Sequence, residues 1–147
     1  METNAKIVIC SEIRGEDGAW QRSFYTAAGE AAFESESWRV EYDEPEQTGM
    51  EGVHTVLRLN KDRAELERAG SVHCALCFSS GSAHESVYET LYGAFPVTVT
   101  TRRLLSHRSM SGAVLELHYT MLLGGAEDEH RLRVMVSKPE GTVVNDE

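Results

Sequence analysis

Reactive side chains are plentiful in this sequence, but few stand at a spacing that chemistry requires. Cys74-Ala75-Leu76-Cys77 is a Cys-x-x-Cys. In a redox site such a pair opens a helix, whose N-terminus lowers the thiol pKa. Here it falls in a stretch that alternates as a strand, where residues three apart point to opposite faces. The two sulfurs therefore diverge. Neither a second Cys-x-x-Cys nor a His-x-x-x-His completes a tetrahedral zinc set. Cysteine as a small core residue is the stronger reading. The histidines, His54, His73, His84, His107, His118 and His130, are scattered. His54, His118 and His130 are expected to face outward or lie near turns. A Ser-His-acid triad can be drawn through many of these residues, so no single drawing carries weight. Ser79-Ser80-Gly81-Ser82 reads as a turn, not a nucleophile elbow. No glycine loop precedes a helix to cradle phosphate. No metal, cofactor or catalytic residue is expected, and the chain leans away from being an enzyme.

Two features survive this sorting. The first is Arg68. Residues 63–69 alternate, and if Ala64 and Leu66 point into a core, so does Arg68. A buried guanidinium needs a partner. Glu89, tyrosine hydroxyls, backbone carbonyls, the face of Trp20 or Trp38, and an anionic group on a ligand are the candidates. The second is the row Tyr88, Thr90 and Tyr92. These share one strand face, and their hydroxyls would line an interior together. Glu89 would then point out. For both features, a purely structural role competes with ligand binding.

The elements that must hold these residues are strands. Apolar residues recur at period 2 almost throughout, over residues 6–13, 20–28, 37–43, 53–59, 63–69, 72–78, 113–123 and 130–137. Gly15-Glu16-Asp17-Gly18, Asn60-Lys61-Asp62 and Gly124-Gly125 punctuate them. Gly29 marks a break or bulge, and 43–52, with Pro45, Gly49 and Gly52, reads as a loop. The stretch 88–101 reads as two strands joined at a corner at Gly93. A basic loop with Arg102, Arg103, His107 and Arg108 runs on to Gly112. Nine to eleven short strands in regular succession signal an all-β antiparallel sandwich or barrel, and closure into a barrel removes exposed edges.

In order, Leu66-x-Arg68-x-Gly70, Leu76-x-Phe78-x-x-Gly81, Tyr88-x-Thr90-x-Tyr92-Gly93, Val99-x-Thr101 and Leu115-x-Leu117-x-Tyr119 resemble the YwiB-like family of bacterial proteins of unknown function. Tyr42 and Thr55-x-Leu57 fit too, so the resemblance spans roughly residues 5–137. It implies a calycin-like, lipocalin-like β-barrel and supplies no activity. The acidic stretch Glu34–Glu46 and the Cys74/Cys77 pair depart from that pattern.

The totals set the remaining limits. At 147 residues the chain suits one domain, read as a barrel over 1–138 with a flexible tail over 139–147. Net charge is −10, with 24 acidic against 14 basic residues, which argues against nucleic acid as a partner. No apolar run reaches the ~20 residues that span a bilayer, so no membrane partner is expected. Three cysteines and no basic leader suggest the cytoplasm. The reading that follows is a non-catalytic module binding a small amphipathic or apolar molecule in the barrel, with Arg68, Tyr88, Thr90 and Tyr92 as anchors. The alternative is a protein-interaction module or homodimer using a strand edge or the acidic face.

Overall fold

Alternating apolar residues give each long strand one inward face, and the strands curl around it. The computed structural model describes residues 2–137, so the tail assigned to 139–147 lies outside the described residues. In chain order the strands are β1 (Glu2–Arg14), β2 (Trp20–Glu34), β3 (Ser37–Asp43), β4 (His54–Leu59), β5 (Ala64–Ala69), β6 (Cys74–Phe78), β7 (Ala83–Thr90), β8 (Gly93–Ser109), β9 (Gly112–Leu123) and β10 (Ala126–Ser137). All ladders are antiparallel, in the order β6-β5-β4-β3-β2-β1-β10-β9-β8-β7. The two end strands meet where His73 and Glu89 exchange backbone hydrogen bonds of 2.9 Å, which makes a nearly closed barrel.

Register stacks the interior of β3–β6 in layers. Trp38, Leu59, Ala64 and Phe78 pair side by side in one layer, and Val40, Leu57, Leu66 and Leu76 in the next. All eight are buried. The third layer is Tyr42, Thr55, Arg68 and Cys74, and it is polar. Ile7, Ile9, Leu115, Leu117, Val134 and Val136 fill the opposite wall. At the far end from the polar layer, Trp38 Nε1 donates to the Ser109 carbonyl at 2.8 Å, tying β3 to the end of β8.

Three expectations change. Gly29 does not break β2, which runs through it. A Cβ there would sit 2.1 Å from the Glu41 carbonyl oxygen and 2.9 Å from Tyr42 Cβ, so glycine lets β2 and β3 approach closely. The basic stretch after residue 101 is strand, not loop. A β-bulge between Thr101 and Arg103 absorbs one residue. Val97, Val99 and Thr101 are buried before it, and after it Leu104 and Ser106 pair with the inward Leu117 and Leu115. The inward parity thus shifts by one, which erases the alternation a sequence reading depends on. Gly93 is not a corner either. Thr90 pairs with Gly93 across a two-residue hairpin loop, Leu91-Tyr92, and Gly93 (φ 134°) opens β8.

Candidate functional site

The polar layer is built by strand parity. Leu66 and Arg68 point inward together on β5, so the guanidinium enters the barrel, with its side chain only 17% exposed. Its ionic partner is Glu44, whose side chain is fully buried, with Oε2 at 3.7 Å from Arg68 Nε. Glu44 continues the inward row Trp38, Val40, Tyr42 one step past β3. Its N–H donates to the Val53 carbonyl at 2.9 Å, which extends the β3–β4 ladder over the start of the loop. Pro45 and the 3-10 turn Glu46–Thr48 then lead the chain away, ending at Gly49 with φ 74°. Thr55 Oγ1 donates to Glu44 Oε2 at 2.5 Å.

Valences remain open in this cluster. Glu44 Oε1 and Arg68 Nε are buried without a hydrogen-bond partner among the described residues. So is His130 Nε2, on a ring stacked against Tyr119 at 4.8 Å and 7°. Unsatisfied buried groups are rare enough that each calls for an account.

Electrostatics in the cluster follow from burial. Burial, the largest single influence, would lower the Arg68 pKa, but the Glu44 carboxylate together with Tyr42, Cys74 and Tyr119 outweighs it and the pKa is raised. Tyr25 and Tyr42 lie close to each other and to Glu44. Burial, reinforced by that carboxylate, pushes the Tyr25 hydroxyl up to about 12 and raises Tyr42 as well. Burial pushes Tyr119 up to about 12 against the opposing pull of Arg68, and raises Tyr88. The Cys74 thiol is raised by burial, again opposed by Arg68. His130 is lowered by burial, which favours neutral imidazole. The arrangement offers one guanidinium, one carboxylate and several neutral hydroxyls. It can bind by hydrogen bonds, but a thiol with a raised pKa is a weak nucleophile.

The expected row beside Arg68 comes together only in part. Tyr88 is half-buried and packs on the core. Thr90 is half-buried, but its Oγ1 accepts the Tyr92 N–H at 3.0 Å and so serves the hairpin loop. Tyr92 is 91% exposed and does not face the interior, because the two-residue loop carries it out of strand alternation. Glu89 points outward toward His73 and is not the partner of Arg68. Neither tryptophan is: Trp38 lies at the other end, and Trp20 lies outside beneath Arg14 and Arg131, 4.8 and 4.3 Å from its ring. Glu44, Tyr25 and His130 were missed. His130, expected to face outward or lie near a turn, has the parity of Leu132 and Val134, and that signal places it on the inward face. His54 and His118 do lie outside, near Asp43 and Glu129 respectively. Cys74 is buried and Cys77 is half-buried on the other face.

A cavity of about 490 Å³ opens at the β6–β7 seam, lined by Arg68, Cys74, Val56, Ala75, His73 and Val87 among others. Val56, Glu67 and Ala75 form the outward row of β4–β6, so the cavity lies on the outer side of the seam and meets the polar layer at Arg68 and Cys74.

Residues 7–134 match the family described as a domain of unknown function, DUF1934. The chain belongs to this family. A solved structure, the crystal structure of ywiB protein from Bacillus subtilis, superposes on this DUF1934 chain with a TM-score of 0.82 at 17% identity. The likeness covers 94% of this chain and 93% of that one, and at this identity it speaks for the fold alone. No curated protein matches the chain. Among the described residues no helix is long and apolar enough to cross a membrane.

Proposed function

We propose that this DUF1934 barrel is a non-catalytic module that binds a small amphipathic molecule at its Arg68 end. One observation carries the reading. The Arg68–Glu44 pair is buried with Nε and Oε1 unpartnered, and Arg68 lines a cavity of about 490 Å³. That volume falls in the range of small-molecule sites, ~300–1,000 Å³. The interior is filled by Trp38, Phe78, Tyr119 and their neighbours, so the ligand sits at the seam and not along the barrel axis. Its polar group meets Arg68, with Tyr88 close by, and its apolar part lies on Val56, Ala75 and Val87. Thr90 and Tyr92 contribute at most the hairpin rim. Free Cys10, Cys74 and Cys77 suit the reducing cytoplasm of a bacterium.

Native mass spectrometry of protein purified gently from cells tests this. The expected result is a discrete small-molecule adduct, lost in Val87→Glu, where an exposed side chain carries a charge into the cavity without touching the core. An adduct that survives Val87→Glu, or no adduct together with no hit in a ligand-observed NMR screen of amphipathic metabolites, overturns the reading.

A second reading rests on the β7–β8 hairpin, where Val87, Leu91, Tyr92 and Phe95 are 50, 84, 91 and 38% exposed. Such an apolar tip suits a protein partner or a second copy of the chain. Sedimentation checks the homodimer: self-association that Leu91→Asp abolishes is expected, and a concentration-independent monomer counts against it.

A further inference from the structure

We propose a second binding site, on the outer face of β2, β1, β10, β9 and β8, for a small phosphate-bearing molecule with a planar apolar part, the class of the nucleoside phosphates. Register lays the residues out in rows. Arg22, Glu12, Arg131, His118 and Arg103 are successive neighbours across five strands. The next row is Phe24, Cys10, Arg133, Glu116 and Leu105. Residues of both rows line a cavity of about 550 Å³, within the ~300–1,000 Å³ range of ligand sites.

Charge gives the cavity its sign. Arg22, Arg103, Arg131 and Arg133 line it against only Glu12 and Glu116, in a chain whose net charge is −10. Glu12 is shared, with Arg22 at 2.7 Å and Arg131 at 3.9 Å. Glu116 takes Arg133 at 3.6 Å. Arg103 meets no carboxylate among the described residues, and its neighbour in the row, His118, is held by Glu129 at 2.5 Å. The surplus is therefore two guanidinium charges, one around the shared Glu12 and one at Arg103, on opposite sides of one hollow. Guanidinium forks match phosphate oxygens in pairs. The hollow also has an aromatic wall, since Phe24 is 65% exposed, and an exposed ring beside arginines is a stacking surface for a base. The chain's overall acidity repels a long polyanion but leaves a short one free to use the local field. The site is separate from the Arg68 end and shares no residue with it.

Calorimetry and tryptophan fluorescence with ADP, pyrophosphate and adenosine test the proposal on the whole chain. ADP is expected to bind and to change the emission of Trp20, because Arg131 stacks on that indole. Trp20→Phe should remove the optical signal and keep the heat. The exposed double variant Arg22→Glu/Arg103→Glu should weaken ADP and pyrophosphate by roughly tenfold or more, with circular dichroism unchanged. Phe24→Ala should weaken ADP and leave pyrophosphate as it was. Lys61→Glu, on an exposed turn away from the rows, should change nothing. The proposal fails if ADP gives neither heat nor signal up to about 5 mM. It fails equally if the double variant binds ADP like the parent, if adenosine binds as well as ADP, or if a single-stranded RNA binds through these residues and ADP does not.

Discussion

Two arginine–carboxylate assemblies occupy the inside and the outside of the same barrel, on different walls. Inside, Arg68 and Glu44 stand 3.7 Å apart, with two polar atoms unfilled and phenols held neutral around them. Outside, Arg22, Glu12, Arg131, Arg14 and Glu129 alternate in sign across β2, β1 and β10, each wetted by solvent. The residue types are alike and the physics is not. An inner charge has few ways to be satisfied, so each partner depends strongly on the other. An outer charge has water, salt and several neighbours, so losing one matters little. A binding role inside would draw on this dependence, because a ligand group completes what the fold leaves open. A role outside would rest on the summed field.

The sharpest way to break the contrast is to remove one inner partner. Arg68→Met should destabilise the barrel by about 3–5 kcal/mol in urea unfolding, since it strands the Glu44 carboxylate in the core. Adding Glu44→Leu should recover most of that loss. A single-variant cost near the surface value, with nothing recovered in the double, would erase the distinction between the faces.

The two faces should also differ in the pH at which they weaken. Buried Tyr119 ionises at about 12 in the folded chain, against the ordinary 10.0. Its folded pKa is raised, so its contribution is intact below pH 10 and is lost as pH rises toward 12. Order-of-magnitude, Tyr119 accounts for about 3 kcal/mol of that alkaline loss. Outside, hydrogen bonds from His118 and Arg14 hold Glu129 at about 2, against the ordinary 4.5. Its folded pKa is lowered, so its contribution is present above 4.5 and is lost as pH falls toward 2. Unfolding free energy across both limbs checks this. Tyr119→Phe should lessen only the alkaline loss, with Tyr25 and Tyr42 supplying the rest, and Glu129→Gln should lessen only the acid one.

How much of each face could be read from the sequence follows from parity. Strand number, the barrel and the inward Arg68 all come from period-2 alternation, which burial enforces strongly. The partner of Arg68 was lost because Pro45 and two glycines made 43–52 look like loop, although Glu44 keeps the parity of Trp38, Val40 and Tyr42. Tyr25 was hidden for a different reason. On β2 the outward face carries Trp20 and Phe24, so hydrophobicity does not say which side is in. The outer rows were unreadable because they join five strands through register, and the Thr101–Arg103 bulge displaces Arg103 into a place that alternation does not predict. Long-range pairing leaves no local trace.

The smallest expected effect is the one that tests the outer face most directly. Arg22 lies 2.7 Å from Glu12 with 77% of its side chain exposed. The pair sits on neighbouring strands, directly opposite in register, so its geometry is as favourable as an exposed pair can have. Even so, a double-mutant cycle with Arg22→Ala and Glu12→Gln should give a coupling of about 0.5 kcal/mol in low salt. Near 1 M salt the Debye length falls to ~3 Å, comparable to the pair's separation, and the coupling should vanish. Arg68 and Glu44, with side chains 17% and 0% exposed, are screened far less and should keep most of theirs under the same salt. If instead the outer coupling persists at high salt, Glu12 is tied to Arg22 and Arg131 as a rigid network. The outer face would then resemble the inner one in kind, differing only in size.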